Sequence, residues 1–188
     1  MKLRISFNVE TKRISNPSVV SKLFGSRNSE IEHFIDWDIS LGILNSVGHL
    51  VSQDSFIFYN NCNYKNGTIT LRSDTIINVQ SPEFDEEVII DFSELPVEAN
   101  SIVFYLSNHQ KFNFEITNID VQIESVSNIY EKDNQFRITN TSICNAIELF
   151  KFIRNNENWT IETLNIPIIE PNGLEYILKK ISQDYQYL

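Results

Sequence analysis

Ile35-Asp36-Trp37-Asp38-Ile39-Ser40-Leu41-Gly42-Ile43 carries the clearest alternation in the 188-residue chain. Successive side chains of a strand point to opposite faces, so Ile35, Trp37, Ile39, Leu41 and Ile43 share one side while Asp36, Asp38, Ser40 and Gly42 share the other. The apolar side must face a core. The other side carries two carboxylates two residues apart, aimed the same way.

Working outward, the same period recurs. Leu3, Ile5, Phe7 and Val9 alternate with Arg4, Ser6 and Asn8 and predict a first strand. From Glu10 to Glu30 the pattern dissolves into polar and turn-forming residues, read as a long surface loop. Phe56-Ile57-Phe58-Tyr59 is apolar on both faces, as a central strand would be. Asn66-Gly67 is a tight-turn pair that leads into a strand from Thr68 to Leu71. Ser73 to Glu87 reads as a loop with acidic residues at both ends. Val88–Phe92, Ile102–Leu106, Ile119–Ile123, Phe136–Ile138, Ala146–Arg154 and Trp159–Leu164 are further extended segments. Only near the C-terminus does the period change, where Leu174, Ile177, Leu178 and Ile181 form one helical stripe after Pro171-Asn172-Gly173. Many short strands followed by one helix predict an all-β chain: a mostly antiparallel β-sandwich with a short C-terminal helix, as a single domain over residues 1–188.

Composition narrows the function. The apolar fraction is 41%, enough for a sizeable core, and the 13 Phe and 7 Tyr suit pleated surfaces. The formal charge is −10, which disfavours nucleic acid and anionic lipid as partners and favours cations among charged ones. No stretch has the length of a membrane span or the form of a signal peptide. Cys62 and Cys144 have no metal-ligand neighbours at short spacing, and a reducing cytoplasm is the simplest location for them.

Enzyme motifs are scarce. There is no phosphate-binding Gly-rich loop, zinc-protease helix or nucleophile elbow. His33, His49 and His109 stand far apart, so a hydrolase site would have to be assembled by folding alone. The expectation is a non-enzyme. The acidic residues are more suggestive, because a hard cation such as calcium takes about 6–8 oxygen ligands. Asp36 and Asp38 form one anionic pair, and Asp85-Glu86-Glu87, with Asp74 at the other end of the same loop, forms a second cluster. Convergence of the two would suffice for a cation. Ordinary solvated carboxylates explain the same spacing.

In order along the chain, Ile35-Asp36-Trp37-Asp38-Ile39-Ser40, then Phe56-Ile57-Phe58-Tyr59-Asn60-Asn61, then Asp85-Glu86-Glu87-Val88-Ile89 resemble the TerD family of bacterial tellurium-resistance and general stress proteins. Leu23-Phe24-Gly25, Asn158-Trp159 and Gly173-Leu174 extend the resemblance over most of the chain. It implies a cytoplasmic β-sandwich that binds calcium through acidic loops, takes part in resistance to tellurite and other chemical stress, and partners other proteins, related family members included. The implied metal ligands are Asp36, Asp38, Asp74, Asp85, Glu86 and Glu87, with Asn61 as an amide ligand or a loop brace. The family loop opens with Gly-Asp-Asn and continues through glycines, whereas Ser73-Asp74-Thr75 is followed here by Ile76-Ile77-Asn78-Val79-Gln80-Ser81-Pro82. Ile, Val and Pro restrict the backbone that glycine frees to wrap an ion, so at least one calcium site is expected to be weakened or lost. The alternative is a member that has lost the metal and serves as a protein-interaction scaffold. Oligomeric state stays open, since sandwich edges can pair between subunits.

Overall fold

A computed structural model describes residues 1–13, 37–73, 86–108, 114–126, 134–139, 143–169 and 172–182. Its strands, in chain order, are β1 (Lys2–Arg13), β2 (Trp37–Leu44), β3 (Phe56–Ile57), β4 (Asn63–Tyr64), β5 (Ile69–Ser73) and β6 (Glu86–Asp91). They continue with β7 (Ser101–Asn108), β8 (Phe114–Ser125), β9 (Asn134–Thr139), β10 (Ile143–Cys144), β11 (Ala146–Asn155) and β12 (Asn158–Ile168), and the helix α1 (Gly173–Ile181) follows. A seven-stranded sheet runs β10-β8-β1-β6-β5-β4, with β9 also on β8, and a five-stranded sheet runs β12-β11-β7-β2-β3. The pairings are antiparallel, and β11 and β12 are joined by a tight hairpin in which Asn155 pairs with Asn158.

The alternation in β2 and β1 does what the sequence pattern demands. Trp37, Ile39, Leu41 and Ile43 face Ile5, Phe7, Val88, Ile90 and Val121 across the space between the sheets. An aromatic stack fills its middle. Phe104 and Phe150 stack at 4.5 Å between ring centroids, Phe7 lies 5.8 Å from Phe104, and Phe136 meets Phe150 edge-on at 5.3 Å. Such offset and edge-to-face pairs contribute beyond the area they bury. In β11 a register shift between Glu148 and Phe150 turns both Leu149 and Phe150 inward, which feeds this stack.

The five-stranded sheet is covered on its second face as well. Helix α1 lays Ile177 and Ile181, with Leu174 and Leu178 beside them, against Leu44, Val103, Tyr105, Ala146 and Ile168. Two glycines permit this approach. A Cβ on Gly173 would stand 2.5 Å from the Cβ of Ala146, and one on Gly42 would stand 3.1 Å from Cδ1 of Ile181. The helix start is held by Asn172, whose Oδ1 accepts from the Glu175 amide at 3.3 Å. The architecture is therefore three layers: sheet, sheet, helix.

Three local expectations are corrected. Phe56-Ile57-Phe58-Tyr59 does not form a central strand: only Phe56 and Ile57 pair, at the edge of the five-stranded sheet. Phe58 and Asn61 then exchange backbone hydrogen bonds of 3.2 and 2.8 Å in a tight turn. The apolar run is explained by a corner, because the chain leaves one sheet at β3 and joins the other at β4. The supposed loop Ser73 to Glu87 is narrower than its sequence suggests, since Ser73 closes β5 and Glu86 opens β6. β1 also continues past Val9 to Arg13, with a register shift between Glu10 and Thr11, into what reads as loop.

Candidate functional site

One end of the sandwich gathers the strand ends that adjoin the acidic positions in sequence. Leu44 at the far end of β2 accepts a hydrogen bond from Asn100, while Phe92, just past β6, packs against Phe152 and Trp159. Those contacts mark the opposite end. β2 and β6 thus both begin, at Trp37 and Glu86, where β5 and β7 finish, at Ser73 and Asn108. Asp36, Asp74 and Asp85 lie outside the described residues, each next in sequence to one of these strand ends.

The four described candidates point to different surfaces. Asp38 is half-buried on the helix-side face of the five-stranded sheet, paired across to Ser107. Glu86 turns inward beside Phe7, on the face that carries Val88 and Ile90, and is only 8% exposed. Glu87, one residue on, must face the other way. On the outer side of the seven-stranded sheet it meets Arg4 Nε at 3.1 Å and Arg72 Nη1 at 3.3 Å, and Arg4 also reaches Glu124 at 3.7 Å. Asn61 is engaged elsewhere: its side-chain amide donates to the Phe56 carbonyl at 2.7 Å and to the Asp54 carbonyl at 3.3 Å. It braces the corner between β3 and β4. The structure does not bring Asp38, Asn61, Glu86 and Glu87 together, and no metal-holding group of three or more His, Cys, Asp or Glu occurs among the described residues.

Around Asp38 the sequence reading missed a polar patch. Ser40 and Ser107 are 1% and 2% exposed, and neither hydroxyl has a hydrogen-bond partner among the described residues. A buried hydroxyl without a partner costs about 1–3 kcal/mol, so such groups point to an absent ligand or water. Register places Asp38 opposite Ser107, and Ser40 opposite Tyr105, which in turn faces Glu148. Burial and then the Glu148 charge push the Tyr105 phenol upward, so it is neutral. Lys180 of α1 caps Glu148 with an ion pair. The signal in the sequence was Ser40 itself, two residues after Asp38; Ser107 and Glu148 come from strands whose pairing the sequence does not print.

The remaining reactive groups stand apart. His33 and His109 lie outside the described residues, and His49 sits in the turn after β2, at the end opposite Asp38 and Glu86. Cys62 and Cys144 are free thiols; burial pushes the Cys144 thiol up to about 11. No helix among the described residues is long and apolar enough to cross a membrane.

A two-sheet antiparallel sandwich with a helix on one sheet and acidic strand ends at one pole is a recognisable class of domain. The chain belongs to the TerD domain family, whose model matches residues 5–180. It is 26% identical over 158 residues to General stress protein 16U of Bacillus subtilis (strain 168), covering 81% of this chain and 78% of that protein. Two crystal structures share the fold. One is of a homologue of telluride resistance protein (TerD), SCO6318 from Streptomyces coelicolor A3(2), with a TM-score of 0.60, 12% identity and 93% and 94% of the two chains covered. The other is of the unknown function protein SAV2460, with a TM-score of 0.59, 13% identity and 93% of each chain covered.

Proposed function

We propose that this chain is a non-enzymatic, cytoplasmic stress-response protein that binds calcium at the acidic end of its sandwich and acts there as a protein-interaction module. Membership of the TerD family and similarity to a general stress protein support the stress role, with tellurite or other chemical stress as the challenge. The observation that carries the calcium reading is the orphaned pair of hydroxyls, Ser40 and Ser107, flanking Asp38. Hydroxyl and carboxylate oxygens are the hard donors calcium takes, and a cation beside Asp38 would give both hydroxyls a partner. Asp36, Asp74 and Asp85 complete the candidate ligands, whereas Glu86, turned between the sheets beside Phe7, faces away from Asp38. Glu87 and Asn61 fit less well, because two guanidinium groups and two backbone carbonyls already engage them.

The same engagements favour a second reading, the scaffold that has lost its metal. A thermal melt of the Ser40→Ala variant, with calcium and with chelator, separates the two. Under the calcium reading the substitution raises chelator-treated stability, by removing an orphan, and reduces the calcium-induced rise in Tm. An identical rise in the variant and the wild type would remove Ser40 from the site. No rise in either supports the scaffold.

A further inference from the structure

We infer that the free edge of β12 is a homodimer interface, in which two copies of the strand pair antiparallel about a two-fold axis at Ile161. Sheet edges with unpaired backbone groups template pairing with another chain, and natural proteins guard them with short strands, charges, proline or bulges. Most of the other edge strands among the described residues are short or charged, although Trp37–Ser40 of β2 also has a single strand neighbour, β7. β3, β4 and β10 are two residues long, and β9, of six residues, carries Arg137 locked to Asp120 at 2.6 and 2.9 Å. β12 is eleven residues long and has β11 as its single strand neighbour among the described residues. Pro167 and the left-handed Asn165, at φ 51°, lie beyond Leu164, and the one charged residue between Trp159 and Leu164 is Glu162, tied to Lys151 of β11. Thr160, Ile161, Glu162 and Thr163 are all exposed.

The hairpin fixes which backbone groups are available. Two residues, Asn156 and Glu157, join Asn155 to Asn158, and a turn that short closes on a pair that exchanges both hydrogen bonds. Asn158, Thr160 and Glu162 therefore direct their N–H and C=O toward β11. Trp159, Ile161 and Thr163 direct theirs outward. A two-fold axis at Ile161 uses all three outward residues, pairing Ile161 with itself and Trp159 with Thr163 of the other copy. An axis at Glu162 would set that carboxylate against itself, and one at Thr160 would leave Thr163 unused. In the favoured register Glu162 faces Thr160 and keeps its ion pair with Lys151 at 3.3 Å. Ile161, 40% exposed on the core-side face of the sheet, gains its own copy as a neighbour. The occupant is thus a second copy of this chain, chosen by a register in which the strand complements itself.

Sedimentation velocity of the full chain over a concentration series, at physiological salt, tests this. The wild type is expected to associate reversibly to a dimer. Ile161→Lys places like charges at the axis and is expected to weaken it at least about tenfold, with far-ultraviolet circular dichroism unchanged. A wild type that stays monomeric throughout, or an Ile161→Lys variant that dimerises as well as wild type, overturns the proposal. Register is read separately in a Cys62→Ser background. Ile161→Cys should cross-link as a dimer under mild oxidation and Thr163→Cys should not; the reverse result overturns the two-fold at Ile161, and it does so even if the lysine variant fails to fold.

Discussion

Gly173→Ala is the substitution whose cost the structure sets most clearly. The new methyl carbon would lie 2.5 Å from the Cβ of Ala146, 3.2 Å from the Asn145 carbonyl oxygen and 3.3 Å from the Ala146 amide nitrogen. Carbon atoms prefer about 3.5–4.0 Å, so the start of α1 must lift by roughly 1 Å. Neither partner can yield, because Ala146 begins β11 in the middle layer, paired to both β7 and β12. Lifting the helix loosens Ile177 and Ile181 against Val103, Tyr105 and Leu44. Overpacking of this kind costs about 1–3 kcal/mol, offset by the roughly 0.5–1 kcal/mol that alanine gains over glycine in a helix. The net loss is about 1–2 kcal/mol. At about 2–4 °C per kcal/mol for a chain of this size, thermal melts should show Tm lower by roughly 2–8 °C, with faster amide exchange in α1. Gly42→Ala presses only on the flexible end of Ile181, 3.1 Å away, and should cost less. A Gly173→Ala protein as stable as wild type, or less affected than Gly42→Ala, would refute the close sheet–helix contact.

Asn61→Ala removes two side-chain hydrogen bonds at the corner and should destabilise by about 1–2 kcal/mol in urea unfolding while leaving calcium-induced heat unchanged. Glu87→Gln breaks a partly exposed ion network and should change stability by less than about 1 kcal/mol, with the difference shrinking as salt is added. Hydrogen bonds from Arg137 hold the Asp120 carboxyl below the usual carboxylate range, and the Ser93 hydroxyl does the same for Asp91. A folded pKa below the unfolded value gives stability that is full above an unfolded pKa of about 3.9 and is lost as pH falls through the folded value. Asp120→Asn should therefore lower stability slightly at pH 7 and flatten its fall as pH drops below about 4; an unchanged acid slope would remove the Arg137 pair as its source.

Much of the fold was legible because a two-residue period admits one reading when one face is apolar. The inward set of β2, from Trp37 to Ile43, and the helical stripe Leu174, Ile177, Leu178 and Ile181 were both readable as buried faces. What covers the second face of β2 was not readable, since Asp38, Ser40 and Gly42 look like a wet face until α1 is placed on that sheet. Phe56–Tyr59 misled for the opposite reason: a corner between two sheets buries residues on several sides, which in sequence looks like a central strand. The acidic cluster split because Glu86 and Glu87 are adjacent on a strand, and adjacency there means opposite faces. Carboxylate spacing shows that charge is near, while strand parity decides which charges can meet.

Isothermal calorimetry of calcium into the wild type, Asp38→Asn and Glu87→Gln proteins asks whether the cation sits beside Asp38. Saturable heat is expected in the wild type, with its loss in Asp38→Asn and its retention in Glu87→Gln. Absence of heat from the wild type at millimolar calcium, or full binding by Asp38→Asn, would contradict that placement.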